Sequence, residues 1–158
     1  MGSSAKSWVI WIVIIFIGGS VFSACTSADR SDSGEIVDSG TVSAFEMRVG
    51  DCFNDSFDVG VTSFSEANAV PCDEMHAWEA YYNLDLDDGS FPTDVSAQAN
   101  VICELSLAGF INGIVDQSPY TFVSLYPTQD SWENGNDHEV ICLVGMYDGT
   151  NSTGRIVN

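Results

Sequence analysis

Four cysteines constrain this 158-residue chain more than any other feature. They form an even set on a short chain, and no two have the C-x-x-C spacing typical of zinc sites and redox motifs. In an exported domain such a set indicates disulfides, each contributing about 3–4 kcal/mol in the loop-entropy model. Four cysteines allow three pairings and the sequence does not choose among them, although sequential pairing closes the shorter loops. The set consists of Cys52, Cys72, Cys103 and Cys142.

The N-terminal segment predicts export. Residues 7–28 carry no charge, and Trp8 to Ile17 is an unbroken apolar run that follows a basic residue. A basic residue, an apolar run and small residues directly before Cys25 stand in the order of a lipoprotein signal, in which the thiol is lipidated and becomes the new N-terminus. We therefore predict a signal peptide over residues 1–24 and lipidation at Cys25. The alternative is an uncleaved signal anchor, because the apolar segment is barely long enough to span a bilayer.

Both interpretations place the rest of the chain on the extracytoplasmic face of the cell membrane. Residues 25–44 are rich in Ser, Gly and Asp without an apolar period, which predicts a flexible tether. Residues 45–147 hold most of the aromatic residues and form the predicted folded domain. Residues 148–158 are predicted to be a flexible tail. The chain is too short for more than one ordinary domain.

The exported part is strongly acidic, with three basic residues against 23 acidic ones and a net charge of −20. Nucleic acid is excluded as a partner, because phosphate binding needs clustered Lys and Arg. Anionic lipid headgroups repel such a domain, so we expect membrane contact only through the N-terminal lipid or signal anchor. Cations or a basic partner are the favoured ligands on charge alone. Solubility or a salty habitat explains the same acidity without any specific ligand.

Periodicity predicts a small α+β domain, with one antiparallel sheet, one principal helix packed on it and two disulfides as staples. A helix of about 15 residues begins at Thr93 or Asp94 and turns Cys103 inward. Val140 to Val144 is apolar on both faces and predicts a central strand. A bridge between Cys103 and Cys142 would fix the helix to that strand. Further strands are predicted at Phe45–Phe53, Val59–Phe64, Ala69–Cys72, Trp78–Leu86 and Thr121–Tyr126. The residues from Trp78 to Leu86 alternate, so Trp78, Ala80, Tyr82, Leu84 and Leu86 are predicted to share one face of their strand.

Catalytic signatures are absent from the sequence. It contains no nucleotide-binding glycine loop, no G-x-S-x-G, no S-x-x-K and no H-E-x-x-H. Cysteines that are bonded or lipidated leave no thiol nucleophile. A hydrolase using two carboxylates is an alternative, but no pair stands out among 23 acidic residues. We therefore predict a non-enzymatic protein without a cofactor.

Two histidines are the candidate metal ligands. His76 lies four residues after Cys72, His138 lies four residues before Cys142, and both have acidic neighbours. If the strands that carry them meet in the sheet, these groups could hold Zn²⁺ or Cu²⁺. The simpler interpretation is that each histidine hydrogen-bonds a nearby carboxylate or backbone group. We adopt it and predict no metal site.

Three segments stand in a distinctive order along the chain. They are Val49-Gly50-Asp51-Cys52-Phe53, then Val70-Pro71-Cys72 with His76, then Pro127-Thr128 with Trp132, Gly135 and Val140-Ile141-Cys142. This ordered set resembles the septum formation family, whose members are exported, membrane-attached proteins, chiefly of actinobacteria.

The resemblance implies a role at the division septum or in envelope assembly, and no established catalytic residues. Asp51, His76 and Trp132 lie at matching positions, and with His138 they are the candidate ligand or partner contacts. The alternative is that they fix turns beside the disulfides.

The leading hypothesis is therefore a non-enzymatic, lipid-anchored domain that binds an unidentified envelope or division protein during septum formation. Anchoring confines such a domain near the membrane and raises its effective concentration for partners there. The alternative function is a cation- or solute-binding lipoprotein, motivated by the acidity and the two histidines.

Overall fold

A computed structural model describes residues 27–57 and 65–156. The predicted signal peptide, Cys25 and the predicted strand Val59–Phe64 lie outside these residues. Within them, no helix is long and apolar enough to cross a membrane. The strands are β1 (Asp29–Arg30), β2 (Ile36–Asp38), β3 (Gly40–Ser43), β4 (Cys52–Phe53), β5 (Glu66–Val70), β6 (Met75–His76), β7 (Trp78–Asp85), β8 (Tyr120–Leu125), β9 (Glu139–Met146) and β10 (Ser152–Thr153), and the helices are α1 (Val95–Phe110) and α2 (Gln129–Gly135).

The architecture is the predicted α+β fold, built on a six-stranded sheet in the order β3-β5-β4-β7-β9-β8. Every pairing in this sheet is antiparallel. Strand β9 is buried from Val140 to Gly145, which confirms its prediction as a central strand. Both of its faces need cover, because its apolar side chains point alternately to the two sides of the sheet. Helix α1 covers one side and the N-terminal segment covers the other.

Helix α1 packs through a single stripe, since residues four apart lie on one face of a helix. The stripe presses against Val140, Cys142 and Val144 of β9. A disulfide joins Cys103 of α1 to Cys142 and thereby fixes the helix to the sheet, as the sequence suggested. The second disulfide joins Cys52 to Cys72, so the sequential pairing is the one formed. The buried residues of the helix are Val95, Ala99, Cys103 and Leu107.

Strand β7 departs from the predicted alternation. Its pairing with β9 has a bulge between Ala80 and Tyr82, where Ala80 pairs with Leu143 and Tyr82 with Cys142. Paired residues share a face of the sheet, so the side chains change sides at the bulge. Tyr82 is 37% exposed as a result, while Tyr81 is buried. The prediction of one apolar face is therefore wrong beyond Ala80; that face was to consist of Trp78, Ala80, Tyr82, Leu84 and Leu86.

The second side of the sheet is covered by the segment predicted to be a flexible tether. Residues 29–43 instead contain β1, β2 and β3, and β3 extends the sheet by pairing with β5. Ile36 and Val42 are buried in the same core cluster as Phe53 and Leu143. Two apolar side chains and the backbone hydrogen bonds between β3 and β5 hold this segment. Two apolar residues are too few to form a recognisable period in the sequence.

The predicted flexible tail is also structured within the described residues. Strand β10 pairs with β6, bringing Ser152 opposite His76 and Thr153 opposite Met75. The N–H of Gly154 then donates to the carbonyl of Cys72 over 2.7 Å. The two ends of the described chain therefore both lie against the sheet close to the Cys52–Cys72 disulfide.

Substitution of Gly145 tests how tightly β7 and β9 are packed. A Cβ at this position would lie 2.7 Å from the carbonyl oxygen of Ala77 and 2.9 Å from Cε3 of Trp78. We expect Gly145→Ala to lower the free energy of unfolding by about 1–3 kcal/mol, because overpacking must displace backbone. The measurement is urea denaturation. The control is Gly109→Ala in α1, where nothing lies within 4 Å of the added Cβ. It should be neutral or stabilising by up to about 1 kcal/mol, and equal effects of the two substitutions would contradict the packing described.

Candidate functional site

A tight turn from Arg48 to Cys52 organises one edge of the domain. The N–H of Asp51 donates to the carbonyl of Arg48, and the N–H of Arg48 donates back to Oδ2 of Asp51 at 2.8 Å. The turn is tied to β7, because the N–H of Gly50 donates to the carbonyl of Ala80. Gly50 has a φ of +96°, a backbone conformation that residues with a side chain rarely adopt, and an added Cβ would also meet Nη1 of Arg155. Only glycine suits this position.

Asp51 is 3% exposed and holds an arginine from the N-terminal segment. Nη1 and Nη2 of Arg30 donate to Oδ1 and Oδ2 of Asp51, each at 2.7 Å, which is the bidentate geometry of strong arginine–carboxylate pairs. The hydrogen bond to Asp51 raises the pKa of Arg30, against an opposing effect of burial. Arg30 also donates to the carbonyls of Gly34 and Glu46. One guanidinium thus fastens the β1–β2 hairpin to the turn.

A second arginine reaches the same turn from the C-terminal segment. Nη1 of Arg155 donates to the carbonyl of Gly50 at 2.8 Å and lies 3.3 Å from Oε1 of Glu79. Its Nη2 lies 3.4 Å from Oε1 of Glu35. Glu79 is buried, and its Oε2 accepts the N–H of Ile156 at 2.6 Å. Asp51 and Glu79 therefore act alike: each is a buried carboxylate that holds one end of the described chain.

The third arginine, Arg48, is exposed beside the turn, near enough to Gly34 that a Cβ there would lie 3.3 Å from its Nη1. All the basic residues that follow Lys6 in the sequence therefore surround one turn. Three shallow depressions of about 310, 380 and 330 Å³ share Gly50 and Arg155 as lining residues. Exposed Val37 and Val49 lie at their rims. We call this region the Gly50 surface; it consists of Val37, Arg48, Val49, Gly50 and Arg155.

A buried polar cluster lies beneath the Gly50 surface. It contains the Cys52–Cys72 disulfide, Glu79 and His76, whose side chain is 0% exposed. Nδ1 of His76 donates to the carbonyl of Glu74 at 2.9 Å, because a carbonyl can only accept. Nε2 of His76 is buried and has no hydrogen-bond partner among the described residues. One ring nitrogen of His76, Sγ of Cys52 and a carboxylate oxygen of Glu79 lie within 4.8 Å of one another.

Trp132 and His138 form a separate cluster. Trp132 lies in α2, which begins with a capping box between Thr128 and Ser131. Its indole donates to the carbonyl of Gly89 at 2.9 Å, and its ring lies against His138 with centroids 4.0 Å apart. Nδ1 of His138 is 3.0 Å from a carboxylate oxygen of Asp88. The cluster holds α2 against the loop between β7 and α1.

The structure does not bring the two histidines together. His138 immediately precedes β9, whereas His76 lies beside the opposite end, where Trp78 pairs with Gly145. A strand rises about 3.3 Å per residue, so the length of β9 separates them by about 20 Å. A metal site that uses both histidines is therefore excluded by the geometry.

The four candidate contact residues are almost entirely covered by the protein itself. Asp51, His76 and Trp132 are buried, and the side chain of His138 is 15% exposed. Asp51 closes the turn at Gly50, and Trp132 binds the loop between β7 and α1. Sequence reasoning missed Arg30, Glu79 and Arg155, although one signal was present: in so acidic a chain, each rare arginine is a candidate partner for a buried carboxylate.

The fold and these contacts define a disulfide-stapled α+β domain whose ends are locked by arginine–carboxylate pairs. The septum formation family matches residues 49–157, and the chain belongs to this family. Membership indicates a role in septum formation. The match includes Val49 to Cys52 of the turn and the C-terminal segment with Arg155, whereas Arg30, Glu35 and Arg48 precede it. No curated protein and no solved structure matches the chain.

The Arg30–Asp51 pair should dominate the stability of this edge. Arg30→Ala leaves a buried carboxylate without its cation, and we expect it to lower the free energy of unfolding by about 3 kcal/mol. Arg48→Ala is the matched control, because this exposed side chain should contribute less than about 0.5 kcal/mol. Urea denaturation of both variants provides the comparison. Equal stabilities would show that the bidentate pair does not hold the N-terminal segment in solution.

Proposed function

We propose that this protein is a non-enzymatic, membrane-anchored module that acts in septum formation by binding an envelope or division protein on the extracytoplasmic face. The family match supports the process, and the apolar segment before Cys25 supports the anchor. The buried placement of Asp51, His76 and Trp132 supports binding rather than catalysis. These motif residues are engaged with the chain itself, so a partner must use other side chains.

The observation that carries the proposal is the composition of the Gly50 surface. Arg30 and Arg155 are bonded to carboxylates, whereas the guanidinium of Arg48 makes no hydrogen bond or ion pair to any described residue. Beside it, Val49 is 53% exposed and Val37 is 50% exposed. A free cation next to exposed apolar side chains suits a partner that presents an apolar residue beside a carboxylate. Elsewhere the acidic surface repels such a partner, which makes this position specific.

The proposed anchor would hold the domain close to the membrane. Ser27 forms a parallel bridge with Thr41, so regular structure begins two residues after Cys25. Two residues of extended chain reach about 7 Å. A lipid on Cys25 would then hold the domain directly at the bilayer, without the long tether that the sequence suggests. The partner is accordingly a membrane protein or a protein held at the membrane surface.

Imaging in dividing cells tests the proposal. A fluorescent protein that matures outside the membrane is joined by a linker after Asn158. We expect enrichment at midcell that is lost in Cys25→Ala, because the lipid anchor is removed, and reduced in Arg48→Glu and Val49→Asp. The control is Val101→Asp on the outer face of α1. It adds the same charge at a valine of matching exposure, 55% against 53% for Val49, and should keep the midcell signal.

Two results would count against the proposal. Uniform envelope fluorescence of the wild-type fusion, together with normal septa in a deletion strain, would remove the role in septation. Loss of midcell signal in Val101→Asp with retention in Val49→Asp would move the contact from the Gly50 surface to the outer face of α1.

A further inference from the structure

His76 has the hydrogen-bonding pattern of a metal-binding histidine. Metal-binding histidines donate one ring N–H to a carbonyl or carboxylate and bind the ion through the other nitrogen. In His76, Nδ1 donates to the carbonyl of Glu74, and Nε2 is left as a buried acceptor without a partner among the described residues. A buried polar atom in this state is costly and uncommon in folded proteins.

The groups around His76 are those that zinc prefers. Sγ of Cys52 and a carboxylate oxygen of Glu79 lie within 4.8 Å of one of its ring nitrogens and of each other. Sγ of Cys72 is bonded to Sγ of Cys52 at 2.05 Å, so reduction would release a second thiolate next to this group. Ligand atoms around tetrahedral zinc are about 3.5 Å apart, given Zn–S and Zn–N distances of about 2.3 and 2.0 Å. An approach of about 1 Å by these side chains would close the site.

The disulfide withholds two of these ligands, because zinc binds thiolates and the bonded sulfurs carry no charge. We propose that reduction of Cys52–Cys72 converts the cluster into a Zn²⁺ site. Its four ligands are the thiolates of Cys52 and Cys72, Nε2 of His76 and one carboxylate oxygen of Glu79. Two sulfurs, one nitrogen and one oxygen suit zinc, whereas magnesium and calcium require oxygen ligands.

The reductant is a dithiol. One of its thiolates attacks Sγ of Cys72, the Cys52–Cys72 bond breaks, and Cys52 leaves as a thiolate. The second thiol of the reductant then attacks the mixed disulfide, releasing the Cys72 thiolate and leaving the reductant as a disulfide. Two electrons pass from the reductant to the protein. Zinc binding displaces the protons of the two thiols and changes no oxidation state.

The two disulfides differ in access, which makes this reduction selective. Cys103 and Cys142 are both fully buried between α1 and the sheet. Cys72 is partly exposed and lines a depression of about 330 Å³ that opens beside Pro71 and Asp73. Exposure governs how readily a thiolate reaches a disulfide. A dithiol therefore meets Cys72 first, while the bridge that fixes α1 stays closed.

Among the described residues, Arg155 is the cation that opposes a metal at this position, since its Nη1 lies 3.3 Å from Oε1 of Glu79. Two thiolates and the Glu79 carboxylate outweigh this single charge. The side chain of Arg155 is 35% exposed and also bonds the carbonyl of Gly50 and a carboxylate oxygen of Glu35. It can therefore leave Oε1 without losing its other partners. The ion would bind residues of β4, β6 and β7 and Cys72, which follows β5. It would therefore replace the cross-link that reduction removes.

The test measures zinc binding by the reduced and oxidised full chain. The protein is treated with dithiothreitol without oxygen, the reductant is removed, and Co²⁺ and then Zn²⁺ are titrated. We expect one Co²⁺ per reduced chain, with a thiolate-to-cobalt charge-transfer band and the visible bands of tetrahedral cobalt, and displacement by Zn²⁺. The oxidised chain should show neither band. His76→Gln and Glu79→Gln should weaken Zn²⁺ binding by more than about 100-fold, because even outer-shell changes cost 10–100-fold.

The matched control is His138→Gln, which removes the other histidine and should leave the affinity unchanged. Because reduction removes a cross-link from the fold, thermal unfolding of the reduced chain is followed with and without Zn²⁺. We expect Zn²⁺ to raise the midpoint in wild type and in His138→Gln, but not in His76→Gln. The proposal is overturned if the reduced chain binds no metal and gains no stability from it, if the oxidised chain binds equally well, or if His76→Gln binds as wild type does.

Discussion

The structure depends on two buried carboxylates that each bind an arginine from a distant part of the chain. Asp51 holds Arg30 from the N-terminal side, and Glu79 holds Arg155 from the C-terminal side. Burying a carboxylate without a partner costs several kcal/mol, so each pair favours only those conformations in which its segment is docked. The turn at Gly50 lies between the two pairs, and its backbone carbonyl accepts from Arg155. Both segments are therefore held against the domain by ion pairs more than by hydrophobic burial.

This explains which parts of the fold could be predicted from the sequence. Helix α1 and strand β9 are held by apolar side chains at regular spacing, so their positions could be predicted from the sequence, whereas the pairing of Cys103 with Cys142 was one of the connectivities left open. The N-terminal strands are held by Ile36, Val42 and one ion pair, which leave no period in the sequence. The bulge after Ala80 was equally invisible, because an extra residue in a strand changes its faces without changing the sequence alternation. Asp51 and His76 were identified as candidates, but only the structure shows that they are covered.

The acidity of the chain has a structural counterpart in the placement of its arginines. Arginines scattered over a surface with 23 acidic residues would neutralise it locally. Here Arg30, Arg48 and Arg155 meet at one turn, and the rest of the surface keeps its negative charge. Arg30 and Arg155 bind buried carboxylates, whereas the guanidinium of Arg48 binds no described residue. Among the described residues, the guanidinium of Arg48 offers a carboxylate-bearing partner an attractive position on an acidic surface, and this arrangement favours specificity over affinity.

Arg155 connects the proposed partner surface with the proposed zinc site. On the outside it belongs to the Gly50 surface beside Arg48, and on the inside it faces Oε1 of Glu79. A zinc ion bound to that oxygen would repel the guanidinium toward solvent and toward Glu35. The Gly50 surface would then carry two accessible guanidinium groups, and its attraction for a carboxylate would rise. The redox state of the Cys52–Cys72 disulfide would in this way change the accessible positive charge of the Gly50 surface through one side chain, without any rearrangement of the sheet.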